Sequence, residues 1–185
     1  MIPIHERNLS IRTFETEEET LLIEGTLKDE RFFPSYFYSA RKFADPGIIH
    51  LITVRLTVSL PGLTIVKAEA RMDAVPNDVC REVRDAVHRL EGIRIHKGFR
   101  NHVTKRMGGT AGCLHMVNLV IAMASAAVQG QWAYYSRKRE TGPVKTPKMD
   151  PSLLIDSCWL WRGDGPFYES ILLRDHDGKD EEKEP

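Results

Sequence analysis

The chain has 185 residues and a formal net charge of zero, from 26 Lys and Arg residues and 26 Asp and Glu residues. This length suits one domain with its own hydrophobic core. A composition of 42% apolar and 28% charged residues is typical of a folded globular protein. Neutralising a phosphate backbone needs a surplus of basic charge, so the balance argues against nucleic acid as the main partner. It also removes any general attraction to anionic membranes.

Targeting signals and membrane spans are not indicated. The N-terminal twelve residues contain neither the apolar region nor the small-residue cleavage site of a signal peptide. The longest apolar run, residues 116–128, is interrupted by Asn118 and Ser125 and is shorter than the roughly 20 apolar residues that span a bilayer. Three cysteines, an odd number, favour free thiols in a reducing compartment. We therefore expect a cytoplasmic protein with no membrane insertion.

Alternating hydrophobicity predicts strands in the first half of the chain. Residues 21–27 form a first strand that ends at the polar residues 28–30. Residues 50–60 alternate more clearly, and their apolar face consists of Ile52, Val54, Leu56, Val58 and Leu60. A Pro-Gly turn then joins this strand to residues 63–72 in an antiparallel hairpin. The aromatic-rich segment 31–47 is expected to be a loop packed over the sheet or, alternatively, a surface for a ligand or partner.

Helical patterns follow the hairpin. A first helix begins at residues 76–78 and ends at Gly92, and a second, basic helix covers residues 97–107. The longest helix begins at Gly112 and is expected to run to about Arg137. Gly130 within it is expected to kink the helix or to end it early. We expect its apolar face to pack on the apolar face of the strand at 50–60. The fold class is therefore α+β, an antiparallel sheet packed against a long buried helix and shorter helices.

The last fifth of the chain is predicted to be less regular. Residues 137–150 form a basic linker, exposed and readily cut by trypsin. Residues 153–161 form a short apolar segment that is strand-like at 155–159, and residues 167–173 form a last strand. Residues 175–185 are mostly charged and are expected to be disordered. The domain is therefore predicted to cover residues 1–174.

Four residues carry the most specific chemistry. Cys113 and His115 lie where a Gly-rich turn meets the start of the long helix. The positive end of a helix dipole stabilises a thiolate, the form that binds metal or attacks an electrophile. Within a helix the two side chains diverge by roughly 200°, so they converge only if Cys113 precedes the first turn. With Cys80 at another helix start and Cys158, the chain offers three sulfurs and one imidazole, which suits a zinc or iron–sulfur site.

The same cysteines have other interpretations. Free cysteine is among the most buried residue types, so Cys80, Cys113 and Cys158 are also explained as core side chains. A third interpretation makes Cys113 a catalytic nucleophile, which requires a base within hydrogen-bond reach.

The hairpin, Cys80, the segment Gly112-Cys113-Leu114-His115, residues 155–158 and residues 162–166 together resemble a bacterial family known as domain of unknown function 2889. The resemblance covers roughly residues 5–175. Its members often carry a histidine after the last cysteine, where this chain has Trp159. The resemblance implies no particular activity, because none is established for this family. The set of three cysteines and a histidine is also similar to that of the NifU-type iron–sulfur scaffold proteins, in which the histidine accompanies the last cysteine.

Three hypotheses of function follow. The first is a metal-binding protein, holding zinc or an iron–sulfur cluster as a scaffold or accessory protein through Cys80, Cys113, His115 and Cys158. The second is a non-catalytic interaction subunit of a larger enzyme complex, which docks through the aromatic segment 32–43 or through Trp159 and Trp161. A cysteine-dependent enzyme is the third. A protein partner or a homo-oligomer is expected.

Overall fold

The computed structural model describes residues 1–16, 19–141 and 155–168. The chain divides into two compact units, residues 1–146 and residues 147–185, and each is described by itself. The predicted trypsin-sensitive linker at 137–150 is wrong for residues 137–141, which continue the long helix, and its remainder at 142–150 lies outside the described residues. The end of the last predicted strand and the charged tail at 175–185 also lie outside them. The single domain over residues 1–174 stays a prediction.

The described strands of the first unit are, in chain order, β1 (His5–Glu15), β2 (Thr20–Arg31), β3 (Ser35–Phe37), β4 (Lys42–Ala44), β5 (Gly47–Ser59) and β6 (Thr64–Ala74). Four of them form an antiparallel sheet in the order β1-β2-β5-β6, and β3 and β4 form a separate hairpin. With the helices described below, this arrangement confirms the predicted α+β class. β1 was not predicted, because an edge strand that is mostly exposed has little apolar alternation.

One face of the sheet is buried and the other is polar, since successive side chains of a strand point to opposite faces. The apolar residues predicted for β5 are fully buried, at 0% exposure for Ile52, Val54, Leu56 and Val58. The polar face carries cross-strand pairs such as Glu24 with Arg55. In β6 the register shifts between Thr57 and Val58 of its partner strand. This bulge leaves Val66 exposed, although strict alternation along the strand would put it on the buried face with Ala68.

Four helical elements follow the sheet within the described residues of the first unit. They are η1, a 3₁₀ helix (Asp78–Leu90), α1 (Phe99–Met107), η2, a single 3₁₀ turn (Gly109–Ala111), and α2 (Leu114–Thr141). α2 contacts β1, β2 and β5, and its buried residues belong to the same hydrophobic core as the apolar face of β5. The predicted packing of the long helix on this strand is therefore confirmed. Among the described helices, none is both long and apolar enough to cross a membrane.

Gly130 neither kinks nor ends α2, which continues to Thr141. Its role is a close approach to the edge strand. A Cβ atom at Gly130 would lie 2.4 Å from Cγ2 of Thr13 in β1, and Thr13 Oγ1 donates a hydrogen bond to the carbonyl of Ala126 at 3.2 Å. Glycine therefore lets the helix and the edge strand pack closely together.

The aromatic segment between β2 and β5 contains the short hairpin of β3 and β4. The ring of Tyr36 contacts two other rings of the segment, with its centroid 5.2 Å from that of Tyr38 and 5.4 Å from that of Phe43. Tyr38 and Phe43 are 88% and 71% exposed. The expectation of a loop packed over the sheet by its rings is wrong for these two residues, because neither ring is buried.

The second unit is described over residues 155–168, which form turns. The amide of Asp156 donates to the carbonyl of Trp161 at 2.9 Å, and the amide of Trp161 donates to the carbonyl of Cys158 at 3.1 Å. The strand-like interpretation of residues 155–159 is therefore wrong, because their backbone bonds close locally. Phe167 and Tyr168, which were predicted to begin a strand, lie in a helical turn.

Candidate functional site

A row of three polar side chains crosses the buried face of the sheet near one end. Arg7 of β1 and His50 of β5 are the direct cross-strand partners of Asp29 in β2. Arg7 Nε donates to Asp29 Oδ1 at 2.6 Å, and Arg7 Nη2 donates to Oδ2 at 2.7 Å. Asp29 is 1% exposed and is the one buried charged residue in the part of the chain that the structure describes. The strand register therefore supplies the partners of the buried carboxylate.

His50 is oriented by the same carboxylate. Its Nδ1 lies 2.9 Å from Asp29 Oδ2. An ionised carboxylate only accepts hydrogen bonds, so Nδ1 carries the proton and donates. In the neutral ring this leaves the lone pair on Nε2, which is free to bind a further group.

His115 and Cys113 reach the row from the start of α2. His115 Nε2 lies 3.7 Å from Asp29 Oδ2, and His115 Nδ1 lies 3.7 Å from Cys113 Sγ. The carbonyl of Cys113 accepts the hydrogen bond of the Val117 amide at 3.0 Å, so Cys113 stands immediately before the first turn. The side chains of Cys113 and His115 therefore converge, as predicted for a Cys113 that precedes the first turn.

Gly112 makes this geometry possible. A Cβ atom at residue 112 would lie 2.3 Å from the carbonyl oxygen of Met107, the last residue of α1. That contact is far shorter than any packing distance, and backbone cannot move aside as a side chain does. Only glycine therefore lets the chain pass the end of α1 and present Cys113 to His115.

The two imidazoles form a stacked pair. Their ring centroids are 3.8 Å apart with an interplanar angle of 32°, and the side chains of His50 and His115 are 12% and 24% exposed. Burial lowers the pKa of His50, although its bond to Asp29 opposes the shift. Burial, followed by the charges of His50 and Arg7, lowers the pKa of His115. Both shifts favour the neutral form of the rings.

At Asp29 the hydrogen bonds and charges of its partners outweigh the effect of burial on its pKa. Burial alone would raise the pKa of Asp29, but the hydrogen bonds and charge of Arg7, together with those of His50, bring it below the ordinary value. The carboxylate is therefore ionised at neutral pH, and Arg7 compensates its charge. His5 also approaches this carboxylate, with Nε2 3.6 Å from Oδ1.

Asp29, His50 and His115 form a group that can hold a metal ion. One ligand atom from each lies within 4.8 Å of the others. A carboxylate and two neutral imidazoles are ligands that zinc and other divalent transition metals accept. We call these three residues, with Cys113, the sheet-end cluster.

The cysteines predicted as ligands are placed differently. Cys80 in η1 and Cys113 are half-buried free thiols packed against the core, and Cys158 is an exposed free thiol in the second unit. Of the predicted set, the structure brings Cys113 and His115 together. Within the described part of the first unit, Cys80 is not gathered with Cys113 and His115, whereas Asp29, His50 and His115 form a group. The four-residue set stays a prediction.

Sequence reasoning missed Asp29, His50 and Arg7. Asp29 was interpreted as part of a polar strand end, but β2 continues to Arg31. The available signal was phase, because Asp29 continues the alternation of Leu21, Ile23 and Leu27 on the buried face. His50 continues the buried face of β5 in the same way. A polar side chain in the buried phase of a strand indicates a partnered or functional group.

Comparisons with known proteins identify a family and no characterised relative. A family model described as a protein of unknown function (DUF2889) matches residues 5–129. This range contains the sheet and every residue of the sheet-end cluster, and it ends before Cys158. Neither the search of curated proteins nor the search of solved structures gives a match.

Proposed function

This chain belongs to the DUF2889 family, whose function is unknown, and we propose from its own residues that it is a metal-binding protein. The observation that carries the proposal is the gathering of Asp29, His50 and His115, with ligand atoms within 4.8 Å of one another. Three elements distant in sequence converge on this point. In a protein core such polar groups are costly unless they are paired or bind a metal.

Zinc is the metal that we propose. Imidazole nitrogen, carboxylate oxygen and thiolate sulfur are its usual protein ligands. Iron–sulfur clusters are held mainly by cysteine thiolates, and among the described residues Cys113 is the one thiol at the cluster. A scaffold or accessory role, in a reducing cytoplasm that keeps this thiol free, is part of the proposal.

Metal content and affinity test the proposal. The purified full chain should bind one zinc ion in competition with a chromophoric chelator. His50→Ala and His115→Ala should each weaken binding by more than about 100-fold, because even the outer partners of metal ligands are worth about 10–100-fold. His102→Ala is the matched control, since His102 pairs with His96 at 5.9 Å between ring centroids, away from the cluster. Zinc binding that is weak, or equally reduced in all three variants, would refute the proposal.

A cysteine-dependent enzyme is the second candidate, favoured by one observation. Cys113 Sγ, His115 Nδ1, His115 Nε2 and Asp29 Oδ2 form a chain with 3.7 Å at each of its two contacts, the order of nucleophile, base and orienting group. Alkylation by iodoacetamide distinguishes the candidates. A nucleophilic Cys113 reacts faster than the exposed Cys158 and loses that advantage in His115→Ala, whereas a zinc ligand is protected by zinc.

A partner-binding role is supported by a separate surface. The exposed rings of Tyr38 and Phe43 are of the kind enriched in protein interfaces. We propose a protein partner or a second copy there, with no nucleic acid bound. Light scattering of the wild type and of a Tyr38→Ser, Phe43→Ser variant tests self-association, and identical masses equal to one chain would exclude the second copy.

A further inference from the structure

We infer that Cys113 is a thiolate ligand of the metal, with His115 Nδ1 and His50 Nε2, and that Asp29 is a positioning residue outside the inner ligand set. The inference rests on the proposed function and specifies its ligands. In this ligand set the sulfur of Cys113 takes the place of the Asp29 carboxylate in the group of Asp29, His50 and His115.

The first argument is the distance between Cys113 and His115. In a tetrahedral site with Zn–S of about 2.3 Å and Zn–N of about 2.1 Å, sulfur and nitrogen are about 3.6 Å apart. Cys113 Sγ and His115 Nδ1 are 3.7 Å apart. The two atoms are therefore already at the separation that a shared zinc ion requires. Cys113 precedes the first turn of α2, and His115 lies within it.

The second argument is that Asp29 is occupied. Arg7 donates to both carboxylate oxygens, at 2.6 and 2.7 Å, and His50 donates to one of them at 2.9 Å. A guanidinium in this bidentate geometry opposes the approach of a cation to the same oxygens. Metal-binding histidines commonly donate their second ring nitrogen to a carboxylate. Asp29 has this relation to His50, and it turns Nε2 of His50 away from the carboxylate.

The third argument is charge. Arg7 offsets the charge of Asp29 through its two hydrogen bonds, and imidazole binds a metal in its neutral form, so the group without Cys113 supplies no uncompensated negative charge to a divalent cation. A divalent ion at a half-buried position needs an anionic partner. Binding of zinc to the Cys113 thiol releases its proton, and the resulting thiolate supplies the negative charge.

Cobalt spectroscopy of the full chain tests the inference. Co²⁺ substitutes for zinc, and a thiolate bound to it gives an intense near-ultraviolet charge-transfer band. Cys113→Ser should remove this band and weaken cobalt binding at least about 10-fold. Cys80→Ser, which changes the other half-buried thiol of the first unit, should keep both the band and the affinity.

Asp29→Asn separates the positioning role from ligation. It should weaken cobalt binding about 10–100-fold, the effect of losing an outer partner, while the charge-transfer band and the visible bands are unchanged at saturation. A ligand would instead alter the visible bands when replaced. Circular dichroism of each variant in chelator verifies folding, and the wild-type spectrum provides a readout that needs no variant.

The outcomes separate the two proposals. If the wild type binds neither zinc nor cobalt at one equivalent, the proposed function fails. If it binds both but the cobalt complex has no thiolate band, or the band persists in Cys113→Ser, the inference fails and the proposed function stands. Loss of the band in Cys80→Ser, or changed visible bands in Asp29→Asn at saturation, would also overturn the inference.

Discussion

Replacing Asp29 by Asn in metal-free protein should destabilise the fold by about 3 kcal/mol. Removing one member of a buried, hydrogen-bonded ion pair costs about 3–5 kcal/mol, because the other charge loses its partner. Asp29 is 1% exposed, whereas the side chain of Arg7 is 40% exposed, so the orphaned guanidinium regains water and the cost lies at the lower end. The Asn side chain also keeps one acceptor oxygen but replaces the other by an NH2 donor, which then faces at least one N–H donor of Arg7.

The same strands provide a matched control. Glu24 of β2 pairs with Arg55 of β5, with Arg55 Nε 2.7 Å from Glu24 Oε2, on the polar face of the sheet. The side chains of Arg55 and Glu24 are 56% and 28% exposed, and exposed pairs contribute about 0–1 kcal/mol. Glu24→Gln should therefore cost less than about 1 kcal/mol.

Urea unfolding and thermal unfolding, both followed by circular dichroism with a chelator present, measure the loss of unfolding free energy and of Tm in both variants. In a protein of this size 1 kcal/mol shifts Tm by about 2–4 °C, so Asp29→Asn should melt roughly 6–12 °C below the wild type. Equal losses of unfolding free energy in Asp29→Asn and Glu24→Gln would refute the reasoning, since burial is the physical difference between the two pairs.

Further predictions concern pH and packing. In chelated protein the unfolding free energy should fall as pH drops below about 6.5, because the folded-state pKa of His50 and His115 is lowered and the unfolded chain binds their protons more tightly. Urea titrations from pH 7 to 5 measure this slope, and a slope unchanged in a His50→Asn, His115→Asn variant would contradict it. Gly130→Ala should destabilise by about 1–2 kcal/mol, the overpacking against Thr13 minus the gain in helix propensity. Gln129→Ala, at the exposed neighbouring position, should change stability by less than about 0.5 kcal/mol, and a loss as large as that of Gly130→Ala would exclude the packing explanation.

The sequence predicted most elements whose signal is periodic. β5 and the long helix were found because a half-buried strand and a buried helix repeat their apolar residues at periods of two and about 3.6. β1 was missed because an edge strand in this sheet buries little. The segment at residues 155–159 was misassigned because β-formers there close a local turn, which propensity alone does not reveal.

The cluster was only half accessible from the sequence. Cys113 and His115 are neighbours along the chain, and a glycine before them signalled an unusual helix start. Asp29 and His50 are brought together by strand register, which depends on the whole sheet and not on local spacing. The cysteines were favoured as ligands for their chemistry, whereas the buried phase of Asp29 and His50 carried the spatial information.

X-ray absorption at the zinc edge of the stoichiometrically loaded full chain tests the metal site most directly. The account predicts a shell with two imidazoles at about 2.0–2.1 Å and one sulfur at about 2.3 Å, and loss of one imidazole in His50→Ala. A shell of oxygen atoms without imidazole scattering would contradict it, because the zinc would then lie away from His50 and His115.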